Sequence, residues 1–150
     1  MSDTMRIGDA LLEAWLNLSS TLWNTRIVTS MTFNEAHVLG ILLRHNEDAD
    51  PITATDLIRR TRLLKSQMNK ILTTLEKQQM ISRARAESDK RLIYIRLTEK
   101  GKYAYLDEHK KVEGILSELI ERLGEQRAAN LTNELRDFIE VLETIVPMPK

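Results

Sequence analysis

The side chains that could do chemistry in this sequence offer hydrogen bonds and charge. From Lys65 to Thr73, Lys65, Ser66, Gln67, Asn69, Lys70 and Thr73 are interspersed with Met68, Ile71 and Leu72. On a helix this spacing gathers the polar set on one face and the apolar set on the other. Asn and Gln can bond the edge of adenine bidentately. Lys can reach guanine acceptors or a phosphate, and Ser or Thr hydroxyls can take either partner. Most polar helix faces are only solvated, so the face alone decides nothing. Four cations follow it, Arg83, Arg85, Lys90 and Arg91, around the turn-like Glu87-Ser88-Asp89-Lys90. A basic finger of this size suits the minor groove of a duplex, where a narrow channel concentrates negative potential. The same cations would also blunt a sheet edge against aggregation.

The distribution of charge favours the nucleic-acid reading. The chain carries 22 Lys and Arg against 22 Asp and Glu. The window from Arg59 to Lys100 holds 12 of the bases and only 4 acids, a net +8, so the rest of the chain is at −8. A neutral total therefore hides a strongly basic middle, the footprint of phosphate contact.

Other chemistries find little support. There is no phosphate-cradling glycine loop, no H-E-x-x-H and no nucleophile elbow, so the expectation is a protein that is not an enzyme and needs no cofactor. With no cysteine, the chain has no disulfide, thiolate zinc site or thiol redox sensor. His37, His45 and His109 are not spaced as ligands of one metal ion, and solvated or packed histidine is the expectation. No apolar run reaches the roughly 18 residues of a membrane helix. The first residues lack the pattern of a secretory leader, so a cytoplasmic protein with no membrane contact is expected. A length of 150 residues with 42% hydrophobic and 29% charged content suits one globular domain.

The elements that must position these groups follow from periodicity and caps. Residues 4–28 repeat apolar side chains at Ile7, Leu11, Trp15, Leu18 and Leu22, widened by Leu12, Ala14, Leu16 and Trp23. A helix so apolar needs more than one partner surface. Thr32-Phe33-Asn34-Glu35 is a capping box opening a second helix, with Ala36, Leu39, Ile41, Leu42 and Leu43 on its apolar face, stopped by His45–Asp50 and Pro51. Thr53-Ala54-Thr55-Asp56 caps a third, which buries Leu57 and Ile58 and turns at Thr61-Arg62. The fourth runs from about Leu64 to Gln78, with Leu64, Met68, Ile71, Leu72 and Leu75 inward. Ile81–Ala86 and Arg91–Leu97 read as a hairpin, the second strand alternating Ile93, Ile95 and Leu97 against Leu92, Tyr94 and Arg96. Two long helices close the chain. One leads from Thr98-Glu99-Lys100-Gly101 to about Leu123, ending at Gly124. The last spans about Glu125 to Ile145 and stops at Pro147 and Pro149. Helix, turn, helix and a basic hairpin make a winged helix-turn-helix.

At this point the sequence resembles the MarR family of bacterial transcriptional regulators. The resemblance covers nearly the whole chain. It is strongest at Asp89-Lys90-Arg91 and at Leu97-Thr98-Glu99-Lys100-Gly101, similar to the family's D-x-R wing tip and L-T-x-x-G strand exit. Leu75-Glu76-Lys77 and Met31-Thr32 also match. The resemblance implies a mainly α (α+β) fold, one MarR-type domain over 1–150, with the winged helix at about 31–100. Dimerisation helices would lie at about 4–28 and 100–146 and interlock with a second copy. Lys65, Ser66, Gln67, Asn69, Lys70 and Thr73 would enter the major groove. Arg91 would enter the minor groove with Asp89 bracing it, and Arg83, Arg85 and Lys90 would lie on the wing. The implied function is a homodimeric repressor of a pseudo-palindromic operator on double-stranded DNA. A small aromatic or phenolic effector could relieve it, with Trp15, Trp23, Phe33, His37 and Tyr105 as candidate pocket residues. The competing reading is a winged-helix protein-interaction module that binds no specific DNA.

Two departures from the family pattern carry expectations of their own. The stretch Gln78-Gln79-Met80-Ile81 lacks the glycine that usually ends the recognition helix, so either the helix is prolonged or Gln79 bears strain. Arg62-Leu63-Leu64 offers no Ser, Thr, Asp or Asn to cap its start.

Overall fold

The computed structural model describes residues 2–24, 30–45 and 51–146, with the backbone alone at positions 23 and 24. In chain order the elements are α1 (Asp3–Asn24), α2 (Phe33–Arg44), α3 (Ala54–Thr61), α4 (Lys65–Lys77), β1 (Ile81–Arg85), β2 (Ile93–Leu97), α5 (Glu99–Leu123) and α6 (Glu125–Ile145). The expected helix over 25–28, and the stops at 46–50, Pro147 and Pro149, lie outside the described residues. Among the described residues, six helices and a two-stranded antiparallel sheet make the winged helix-turn-helix fold.

Local chemistry sets the helix starts. At α2 the Thr32 hydroxyl accepts the Glu35 amide at 3.2 Å, and the Glu35 carboxylate accepts the Thr32 amide at 2.9 Å. At α3, Thr53 and Asp56 make the same reciprocal pair at 3.2 and 2.9 Å. Each box satisfies amides that the helix cannot satisfy itself. The Asp56 carboxyl is held below its ordinary value by the Thr53 amide first, then by the Thr53 hydroxyl and by Arg59 and Arg60, against an opposing effect of burial.

The core belongs to the winged lobe. Val38 and Leu39 of α2, Leu57 of α3, Met68, Leu72 and Leu75 of α4 and Ile95 of β2 are fully buried. Burying a side chain of this kind contributes about 1.5–3 kcal/mol, so these positions fix how α4 lies on its neighbours. Tyr105 joins the core from α5. By contrast, α6 has no buried residue, and α1 exposes Leu11, Leu12 and Leu16. No helix among the described residues is long and apolar enough to cross a membrane.

The hairpin is shorter than its alternating pattern suggests. Pairing runs from Ile81 opposite Leu97 to Arg85 opposite Ile93. Beyond it the Ala86 amide still reaches the Leu92 carbonyl at 3.0 Å. The Leu92 amide turns back to the Asp89 carbonyl, also at 3.0 Å, and this closes the tip. A third piece of backbone lies along the sheet, where the Ile95 amide donates to the Ile52 carbonyl at 2.9 Å and Thr53 bridges Tyr94.

The exit from the wing is a clamp. The Thr98 amide donates to the Met80 carbonyl at 3.1 Å, and the Thr98 hydroxyl donates to the Gln79 carbonyl at 2.7 Å. The same hydroxyl accepts the Gly101 amide at 3.1 Å and so caps α5. A β-carbon at Gly101 would stand 2.0 Å from the Met80 carbonyl oxygen, which explains the glycine of the Leu-Thr-Glu-Lys-Gly run. At the far end of α5, Gly124 has φ of +88° and separates α5 from α6.

Candidate nucleic-acid interface

The polar residues singled out on α4 share one exposed face. Lys65, Ser66, Gln67, Asn69, Lys70 and Thr73 are all exposed, opposite the buried Met68, Ile71, Leu72 and Leu75. Leu64, expected among the inward positions, is 49% exposed. It is the residue before the first helical turn and has an extended backbone, φ −66° and ψ 150°, so helical spacing does not carry its side chain inward. A leucine cannot cap a helix. Instead the Gln67 side-chain oxygen accepts the Leu64 amide at 2.9 Å, supplying one half of a capping box.

The turn before α4 is left-handed at Arg62, φ +59°, which also ends α3. The Arg62 guanidinium is ion-paired with Glu143 of α6. After α4, Gln79 takes φ +61° in the place where a glycine is usual. The Gln79 amide bonds the Glu76 carbonyl and the Met80 amide bonds the Leu75 carbonyl, each at 2.9 Å, the two bonds of a Schellman cap. The strain expected at Gln79 is therefore present, and the helix is not prolonged.

The wing cations divide into two kinds. Arg83 is half-buried, and its guanidinium binds the Glu76 carboxylate through Nε at 2.8 Å and through Nη2. Its charge is balanced inside the lobe, and the pair ties β1 to the end of α4. Arg85, Lys90 and Arg91 are exposed and hold no ion pair among the described residues. Asp89 does not meet the Arg91 guanidinium. Its carboxylate accepts the Arg91 backbone amide at 2.9 Å, which shapes the tip that presents Arg91.

Of the candidate pocket residues, Trp15 lies on α1, Phe33 and His37 on α2 and Tyr105 on α5. Trp15 meets Phe138 of α6 edge-on, with ring centroids 5.7 Å apart at 87°. Tyr105 is buried and stacked on His109 at 5.3 Å, and its hydroxyl accepts from Arg44 at 3.4 Å. Phe33 is half-buried and His37 exposed on α2. Partial burial, then Arg44, holds the His37 imidazole below its ordinary value. The Trp23 side chain lies outside the described residues. Among the described residues, no cluster of three or more His, Asp or Glu is placed to hold a metal ion.

Sequence reasoning passed over Glu108. It is 1% exposed, accepting the Ser30 amide at 3.2 Å and the Lys111 ammonium at 3.1 Å. Its neighbours Asp107, His109, Lys110 and Lys111 make it look like part of a solvated run, so no local signal marks it.

Comparison with known proteins decides the class of this lobe. Residues 29–92, which include α2, α3, α4, β1 and the wing tip, match the MarR family. Over these residues the winged lobe is similar to the MarR family.

Solved MarR-like structures extend the likeness over almost the whole chain. FabT of Streptococcus pneumoniae, solved in complex with DNA, is 20% identical with a TM-score of 0.64, covering 96% of this chain and all of that one. PcaV of Streptomyces coelicolor, solved with its natural ligand, is 17% identical with a TM-score of 0.76, covering 95% and 99%. The adhesin competence repressor AdcR of Streptococcus pyogenes is 22% identical with a TM-score of 0.63, covering 89% and 98%. At these identities the likeness is one of fold. No curated protein sequence matches the chain.

Proposed function

We propose that this protein is a sequence-specific DNA-binding transcriptional regulator that acts as a homodimer and represses a pseudo-palindromic operator. The observation that carries the reading is the exposed polar face of α4 beside exposed, unpaired wing cations, on a MarR-family winged helix. Lys65, Ser66, Gln67, Asn69, Lys70 and Thr73 read the major groove. Arg91, with Arg85 and Lys90, contacts the minor groove and phosphates.

Support for a homodimer comes from the apolar surface of the terminal helices. Leu11, Leu12 and Leu16 of α1, Ile115, Leu116 and Leu119 of α5, and Leu131, Leu135 and Ile139 of α6 are each at least 43% exposed. Apolar surface on this scale marks an interface. A two-fold dimer sets two α4 helices against half-sites about one duplex turn apart, hence the palindrome. PcaV is solved with its natural ligand, which supports relief by a small-molecule effector acting on the spacing of the two lobes, for which an aromatic or phenolic compound is our candidate.

The test is fluorescence anisotropy with the chain's own upstream region against random duplex, over a range of salt. Preference for the upstream region, with affinity falling steeply as salt rises, supports the reading. Indifference to sequence at every salt concentration favours the protein-interaction module instead. Light scattering on the same sample reports the dimer.

A further inference from the structure

Leu64 stands where a base reader would stand. It precedes the first turn of α4, is 49% exposed, and is followed by the exposed Lys65 and Ser66. Its neighbour Leu63 packs against the core, so the two leucines of this turn have different environments. An isolated exposed leucine is ordinary on a protein surface. This one sits at the N-terminal end of a recognition helix, the end that meets base edges in helix-turn-helix proteins. The base-pair feature in the major groove suited to an aliphatic side chain is the thymine C5 methyl.

Gln67 positions the Leu64 backbone. Its side-chain oxygen is engaged by the Leu64 amide at 2.9 Å, an assignment forced because that amide can only donate. Bidentate recognition of adenine would use the second lone pair of the same oxygen. Gln67 keeps that second lone pair and both donors of its NH2 group, which can donate to guanine O6 or N7, adenine N7 or thymine O4. The bond also holds the Leu64 backbone against the first turn, which limits where its side chain can go.

We propose that Leu64 is a specificity-determining residue that selects a thymine by its methyl group, held in place by the bond from its amide to Gln67. This rests on the DNA-binding reading above and adds which base is chosen and by what contact.

The experiment begins with selection of a preferred duplex from a random pool by the full chain. Each thymine of the selected site is then replaced singly by uracil, which removes only the methyl group, and affinity is measured by anisotropy. One uracil position per half-site should weaken wild-type binding about fourfold, the worth of one methyl taken from water. Leu64→Ala, at an exposed site, should fold normally and lose that sensitivity while remaining sensitive to the other base changes. Two results overturn the proposal while leaving DNA binding intact: no uracil position that matters to the wild type, or a sensitivity that survives in Leu64→Ala. Failure of the pool to yield any preferred sequence overturns the DNA-binding reading, and this inference with it.

Discussion

Gly101 and Met80 are in backbone contact: a β-carbon on Gly101 would stand 2.0 Å from the Met80 carbonyl oxygen and 2.9 Å from a Leu97 methyl. That carbonyl is already fixed by the Thr98 amide, so it cannot swing aside without breaking the clamp between the recognition-helix exit and α5. Gly101→Ala should cost about 3 kcal/mol, at the severe end for overpacking because the obstacle is backbone. Urea unfolding followed by circular dichroism measures it. A variant within 0.5 kcal/mol of wild type, a rough limit for a harmless substitution, would contradict the contact.

Gln79 offers the opposite experiment. Its φ of +61° costs a residue with a β-carbon about 1–2 kcal/mol, which glycine avoids. Glycine also adds freedom to the unfolded chain, so Gln79→Gly should stabilise the protein by only about 0.5 kcal/mol. A small rise in the urea midpoint is the expected reading, and a fall would show that the Gln79 side chain has a structural role.

Arg83 and Arg91 look alike in sequence and should behave differently. Arg83 is bound to Glu76, whereas Arg91 is exposed at the tip. Arg83→Ala should lower stability by about 1 kcal/mol and leave the salt dependence of DNA affinity nearly unchanged. Arg91→Ala should leave stability unchanged and reduce the slope of log affinity against log salt by about 1. Parallel anisotropy titrations at several salt concentrations separate the two, and equal slopes for both variants would refute the division.

Asp56 gives a pH signature. Its carboxyl in the folded protein titrates below the ordinary value of 3.8, chiefly because the Thr53 amide bonds the charged form. The unfolded chain therefore takes up the proton first as pH falls. The stabilisation is full above about pH 3.8 and is lost as pH drops through the folded value. Asp56→Asn should thus cost about 1 kcal/mol at neutral pH, and the gap from wild type should close in acid. A gap that stays constant from pH 6 down to pH 2, in rough terms the range over which a carboxylate titrates, would rule out this account.

The features visible in the sequence are those made by neighbours along the chain. Thr32 with Glu35, and Thr53 with Asp56, close over three residues, and both boxes form as read. The missing glycine at Gln79 leaves two readings, a prolonged helix or local strain, and the positive φ there selects the second. Leu64 was read inward because helical spacing was extended one residue too far, onto a position with extended backbone. Ile93 alternates with Ile95 but sits opposite Arg85 near the tip, beyond the reach of the core, and is exposed. The pairing of Arg83 with Glu76 across a turn, of Arg62 with Glu143 and of Glu108 with Ser30 depends on chain return, which periodicity does not encode.

The wing is joined at three separate places to α4 and to the segments flanking α3 and α4, through Ile95 to Ile52, Arg83 to Glu76 and Thr98 to Gln79. A hairpin tethered in this way cannot flap while its reading helix stays put; the two travel as a single jaw. In the proposed dimer, the angle at which α5 leaves that jaw then sets the gauge between the two heads. Such a dimer would change what it spans without changing what it reads.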